Sequence, residues 1–226
     1  MTSYVSILYL LIFLPAVLVY NVLPKKYRPI ILLLASYAFF WSISRKLLVF
    51  LLVSTVSIHH IGLWLTAVQS ERNDVLAKTE RSGKKAVKAL YIRRQRWIVF
   101  FAACVHVGTL LVLKYSGFFG RNVNALLQTA GVGLSVPILK LMMPIGISFY
   151  TMQAMFDVYR ETTKADKNLG RLALYMAFFP TIMEGPICRY ADDAEQLWEG
   201  RRSTLENLTF GTERILYGVF KKIIIA

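Results

Sequence analysis

Charge is missing from long stretches of this sequence. Residues 1–24 contain no Asp, Glu, Lys or Arg, and neither do residues 47–70. Only 18% of the 226 residues are charged while 56% are hydrophobic, and the mean hydropathy is +0.49, which excludes an ordinary soluble fold. Cysteine is scarce as well. Cys104 lies in an apolar block and Cys188 beside a proline; both read as reduced thiols, so a disulfide-stapled secreted domain is excluded. Acidic residues are few, 13 against 27 Lys and Arg, giving a net charge of +14. That excess would suit nucleic acid on a soluble protein, but here it is lodged between apolar blocks, so nucleic acid is not expected as a partner. A 13% share of aromatics excludes disorder.

What is present is a series of apolar segments. A helix crosses the hydrocarbon core in about 20 apolar residues. Residues 4–23, 29–44, 47–70 and 97–119 meet that length or approach it, and residues 136–156 form a fifth span interrupted by Lys140, which can snorkel. The first has no basic residue before it and no small-residue cleavage site after it, so it reads as a retained span and not a signal peptide. The first, third and fifth connections hold sixteen Lys and Arg, the second and fourth only three. By the positive-inside bias the N-terminus is outside and the chain is a multi-pass protein of the inner or plasma membrane. The loop at 69–96 holds nine of these cations, among them Arg72, Lys84, Arg93, Arg94 and Arg96. It either only sets topology or also attracts anionic lipid or an acidic donor molecule. The expected division is residues 1–113, N-terminal helices with this cytoplasmic loop, and residues 114–226, a distinct core.

Beyond Pro144 the pattern changes. Gly146, Tyr150, Gln153 and Asp157 share one helical face, which is polar and should face protein or a wet cavity. Gln153 would equally serve as a bond to a neighbouring helix. Residues 172–183 are uncharged, too short to span, and bounded by Pro180 and by Glu184, Gly185 and Pro186. Broken backbone at membrane depth needs protein or an aqueous cavity beside it, so a re-entrant segment is expected, with Arg189 buried near the cavity and Glu184 as its partner. The alternative is an interfacial turn whose arginine meets lipid phosphate. Residues 205–226 form an amphipathic helix with Lys221 and Lys222 at one edge; no Gly, Pro or polar run closes it, so the chain is expected to stop inside an element. His59 and His60 lie in the third span and His106 in the fourth, where a neutral imidazole bonding an adjacent helix is the expected role and a general base the alternative.

Several of these residues recur as a set. Residues 143–153, Met-Pro-Ile-Gly-Ile-Ser-Phe-Tyr-Thr-Met-Gln, with Asp157-Val158-Tyr159-Arg160, resemble the membrane-bound O-acyltransferases (MBOAT), closest to the branch that O-acetylates alginate and other exported polysaccharides. Phe178-Phe179-Pro180, Gly185-Pro186-Ile187 and Arg189-Tyr190 look like that branch's re-entrant motif. Gly218 to Lys222 resembles its Gly-x-x-Lys-Lys helix, and Lys114-Tyr115 with Phe118-Phe119 is a weaker echo. The likeness covers about residues 110–226, the earlier spans resembling the family in hydropathy alone. Glu184 and Cys188 depart from the smaller apolar residues common in relatives.

The resemblance implies an all-α ring of helices with a re-entrant segment around a funnel. There an acyl group, acetyl for this branch, passes from a cytoplasmic thioester (acyl-CoA or an acyl carrier) to a hydroxyl of an exported or cell-envelope polysaccharide. No bound cofactor or metal is implied. A carrier protein or an extracytoplasmic acyltransferase is an implied partner, beside membrane lipid. The family's catalytic histidine lies after the Lys-Lys helix, so no catalytic residue is expected among these 226, which alone should not transfer acyl groups. Tyr150, Gln153, Asp157, Glu184 and Arg189 are the expected substrate-binding wall. Alternatives are D-alanyl transfer to teichoic acid, a transporter half, and a non-enzymatic membrane scaffold.

Overall fold

In the computed structural model the described residues are 7–43, 45, 48–131, 166–182, 189–221 and 224. Among them every regular element is helical: α1 (Ile7–Val22), α2 (Arg28–Ile43), α3 (Leu48–Lys78), α4 (Lys84–Thr129), α5 (Leu169–Ala177), α6 (Tyr190–Glu199) and α7 (Leu205–Phe220), with a 3-10 turn at Lys25–Tyr27. The expected span at 136–156 lies outside the described residues.

α1 and α2 are 16 residues each, roughly 24 Å at about 1.5 Å per residue, short of a hydrocarbon core of about 30 Å. Pro29, in the first turn of α2, has no intrahelical bond to forfeit there. α3 and α4 are another matter. Both are long and apolar enough to cross a membrane, which with their composition makes this a membrane protein. At 31 and 46 residues they would extend about 46 Å and 69 Å, well past the hydrocarbon.

The basic segment expected as a loop is the reason for that excess. α3 continues to Lys78 and α4 starts at Lys84, so residues 69–96 are mostly helix around a short turn. Their Glu, Lys, Arg, Ala, Leu and Gln are strong helix formers, and charge lowers hydropathy without lowering helicity. In that turn the chain folds so tightly that a Cβ at Gly83 would meet Thr79 Cγ2 at 2.9 Å. α4 also runs without a break past residue 113, where the sequence suggested a division.

The hairpin packs along two stripes at helical spacing, Leu51, Thr55, Ile58, Gly62, Leu65 and Val68 on α3, and Tyr91, Gln95, Ile98, Ala102 and His106 on α4. Near its tip Tyr91 Oη donates to Glu71 Oε1 at 3.0 Å and Arg94 to Glu71 Oε2 at 3.2 Å. α5 lies between α2 and α3, with residues 172–177 all buried. α7, in contrast, has no buried residue, and its Ile215 and Phe220 are exposed.

Candidate functional site

The site grows from α5, which has a strong start signal. Asn168 is extended, and its side-chain oxygen accepts from the N–H groups of Gly170 and Arg171 at 2.9 and 3.3 Å, capping the helix. From that polar start the helix runs into the core and ends at Phe178, whose extended backbone precedes the turn at Phe179 and Pro180. The Phe179 N–H then donates to Ser36 Oγ at 3.3 Å. Its ring packs edge-on against Phe13 and at a tilt against Phe39. Ser36 is eight residues into α2 and Phe13 six into α1, so the helix breaks at the middle of both.

On the opposite side of α5 a carboxylate gathers the following helix. Asp166 Oδ2 accepts from Arg171 at 2.9 Å and from Tyr190 Oη at 3.2 Å, while Oδ1 accepts the Asn168 N–H at 2.9 Å. Burial, and after it the Asp166 charge and hydrogen bond, push the Tyr190 phenol above its ordinary range, so it acts as a donor at any physiological pH. Tyr175 stands edge-on to Tyr190 with centroids 5.0 Å apart. α6 ends at Gly200 in the left-handed region (φ 65°), and Arg28 donates to Gly200 O at 2.9 Å and to Leu23 O at 3.0 Å. That one guanidinium holds the C-terminal carbonyls of two helices together.

Between α1, α2, α5 and α6 lies a cavity of about 240 Å³, bordered by Tyr20, Tyr175, Thr181, Asp193 and Gln196 among others. Aromatic faces beside a carboxylate, an amide and a hydroxyl form a lining able to hold a polar, hydroxylated or carbonyl-bearing group.

Of the residues expected to form the wall, Tyr150, Gln153, Asp157 and Glu184 lie outside the described residues. Arg189 is described and corrects its expected place: it is the N-cap residue of α6 and is exposed, not buried. The next residue, Tyr190, is buried, while the Arg189 charge stays toward solvent. The histidines also depart from expectation. His60 and His106 hold Nδ1 at 2.8 Å from the carbonyls of Val56 and Ala102 one turn back, each on its own helix and not a neighbour. That geometry assigns the proton to Nδ1. His59 is 8% exposed and, among the described residues, neither ring nitrogen has a hydrogen-bond partner. One of the two carries a hydrogen in either tautomer, an omission of about 1–3 kcal/mol.

Comparison with known proteins covers almost all of the chain. Over 227 residues it is 33% identical to the probable alginate O-acetylase AlgI of Azotobacter vinelandii, taking in 98% of this chain and 41% of that one. The corresponding protein of Pseudomonas aeruginosa is 32% identical over 226 residues, 98% and 39% of the two chains. The chain is similar to the alginate O-acetylases along nearly all of its own length. The resemblance to polysaccharide-acetylating O-acyltransferases is therefore borne out, and it reaches into residues 1–113, where the sequence offered hydropathy alone. A peptidoglycan O-acetyltransferase of Helicobacter pylori is 24% identical over 162 residues, 59% of this chain and 30% of that one. No family model matches, and no solved structure does. The chain spans about two fifths of the length of the alginate O-acetylases it matches.

Asp166, Ser36 and Gln95 were not singled out by sequence reasoning. Asn168 before an apolar run was a readable cap signal that would have drawn attention to Asp166; Ser36 carried none.

Proposed function

We propose that the protein is an integral membrane O-acyltransferase that moves an acyl group, acetyl in the first instance, from a thioester donor to a hydroxyl of an exported or cell-envelope polysaccharide. The observation that carries this reading is the similarity to named alginate O-acetylases along 98% of the chain.

In the reaction the acceptor oxygen attacks the thioester carbonyl. A C–O bond forms, the C–S bond breaks, and the hydroxyl proton passes to a base and then to the departing thiolate. None of His59, His60 and His106, all on α3 or α4, lines the cavity between α1, α2, α5 and α6, and we assign the base to none of them. On the family resemblance, the base in this reading is a histidine of the whole protein outside these residues. The described residues supply a scaffold. The Phe179–Ser36 bond supports a re-entrant reading of α5, because it ends broken backbone at mid-helix depth among protein groups. The cavity bordered by Tyr20, Asp193 and Gln196 adjoins the α1–α2 turn, the cytoplasmic side under an N-terminus-outside topology, and suits the donor. The wall of Tyr150, Gln153, Asp157, Glu184 and Arg189 is the proposed acceptor and donor lining, with Arg189 steering an anionic group. A carrier protein delivering the acyl group, or an extracytoplasmic acyltransferase receiving it, completes the scheme.

The test is acyl transfer by the whole protein in membranes, with a labelled acetyl thioester and a polysaccharide acceptor, following label in polymer and free thiol together. Equal release of thiol and gain of ester is expected. Neither label in polymer nor thiol release, from well-folded protein, overturns the reading.

A further inference from the structure

The α3–α4 hairpin ends in a concentration of charge that its own packing does not use. Residues 78–88 hold five cations, Lys78, Arg81, Lys84, Lys85 and Lys88, against the single carboxylate of Glu80. All five are exposed, and among the described residues none of their side chains has an ion-pair or hydrogen-bond partner. The turn that carries them is fixed. Thr79 Oγ1 donates to Val75 O at 2.6 Å, the Gly83 N–H to Glu80 O at 3.0 Å and the Val87 N–H to Gly83 O at 3.1 Å. Lys84 and Lys85 also stand in the first turn of α4, where the helix dipole disfavours cations, so helix stability does not account for them.

Contact with lipid does not account for them either. Trp97 is half exposed and opens the uncharged run 97–113, the place of an aromatic anchor at a membrane interface. Arg93 and Arg96 lie within about 6 Å of it along the helix, at headgroup level. Lys84 and Lys85 precede Trp97 by thirteen and twelve residues, about 18–20 Å along a straight helix. A headgroup layer is only about 5–8 Å deep on each side, and at physiological salt a charge is screened beyond about 8 Å. The tip therefore stands more than one screening length above the lipid, even at an ordinary helix tilt of about 20°. Under the N-terminus-outside topology that aqueous phase is the cytoplasm.

We propose that the hairpin tip is the docking surface of an acidic soluble protein that carries the acyl group as a thioester, an acyl carrier protein. The identity of the cargo rests on the acyltransferase reading above; the acidity of the partner rests on the tip itself. A net charge of +4, five cations less one carboxylate, held rigidly in water raises the encounter rate of a surface rich in carboxylates. The cations are spread over the end of α3, the turn and the start of α4, a footprint for a folded surface and not for one phosphate group. With the helices alternating in direction, the tip is on the same side as the α1–α2 turn and the cavity bordered by Tyr20, Asp193 and Gln196. A docked carrier thus presents its thioester on the side proposed for the donor.

The experiment holds the full-length protein in phosphatidylcholine nanodiscs and measures binding of a purified acidic acyl carrier protein, acetylated on its pantetheine thiol. Saturable binding that weakens with added salt is expected. Arg81→Glu, Lys84→Glu and Lys85→Glu together should slow association about tenfold or more. Acidic side chains suit a helix N-terminus, so this variant should fold. Absent binding, or association unchanged in the variant, overturns the proposal. Equal affinity for polyglutamate overturns it as well, since the tip would then attract any polyanion. Acetyl transfer from free acetyl-pantetheine, which is small and uncharged and needs no docking, is measured on both proteins. Equal rates are expected, and a loss in the variant overturns the proposal by giving the tip a structural role. No transfer from acetyl-pantetheine by either protein counts against the acyltransferase reading, and the binding measurement still decides the docking.

Discussion

Phe179 and Ser36, 143 residues apart, are joined by a bond from a backbone N–H to a side-chain hydroxyl, in a region where neither group meets water. Ser36 Oγ in turn donates to Leu32 O at 2.7 Å, so one fully buried hydroxyl serves its own helix and the broken end of α5 together. Ser36→Ala leaves the Phe179 N–H buried without a partner. A loss of about 1–3 kcal/mol is expected in thermal or denaturant unfolding, against little change for Ser36→Thr if the added methyl is accommodated. Unaltered stability of the alanine variant would mean that the contact contributes nothing.

Gly200 is the next expected point of failure. Its backbone is left-handed, and a Cβ there would meet Lys25 O at 2.8 Å. Gly200→Ala should destabilise by at least about 1–2 kcal/mol from the backbone alone, with the clash in addition. Gly211, inside α7 with open space around it, is the control. Gly211→Ala should be neutral or stabilising by up to about 1 kcal/mol. The comparison is read from melting temperatures of the purified proteins.

The long α4 makes topology testable by distance. Ser82 lies in the hairpin turn and Asn124 near the far end of α4. At about 1.5 Å per residue they are separated by roughly 63 Å along a straight helix, more than the 40–45 Å of a bilayer with its headgroups. Cysteines at these positions, with Cys104 and Cys188 replaced by Ala, should label from opposite sides, the first from the cytoplasm. Labelling of both from one side would rule out the crossing.

His59 gives a sharper choice. As a buried imidazole with no hydrogen-bond partner among the described residues it lowers stability, so His59→Leu should melt at the same temperature or higher and leave acyl transfer by the whole protein unchanged. A well-folded His59→Leu protein without turnover would place His59 in the chemistry after all.

The Asp166 cluster couples structure to the proposed reaction. Tyr190→Phe and Asp166→Asn remove the same hydrogen bond from opposite ends, and Asp166→Asn also takes the charge from Arg171. The asparagine variant should be the less stable of the two, because it leaves a partly buried guanidinium without its carboxylate. The double variant should lose less than the sum of the singles, as a double-mutant cycle by denaturant unfolding would measure.

The sequence by itself determined that this is a helical membrane protein, where α1 and α2 begin and end and where α3 begins to within a few residues, and the likeness to polysaccharide O-acetyltransferases. Each follows from composition and local order: uncharged runs cannot leave lipid cheaply, and motif residues are read along one strand of text. Tertiary structure alone decided the rest. The basic segment at 69–96 is helical because helix propensity persists where hydropathy falls, and hydropathy was the signal being read. Arg189 is exposed while the adjoining Tyr190 is buried against Tyr175 and Asp166, an outcome that no local pattern records. Ser36 looks like any hydroxyl in an apolar helix until α5 ends against it, and Asp166 is one acidic residue among thirteen until Arg171 and Tyr190 converge on it. Such pairings join residues distant in sequence, and only packing fixes which of many equivalent partners is met.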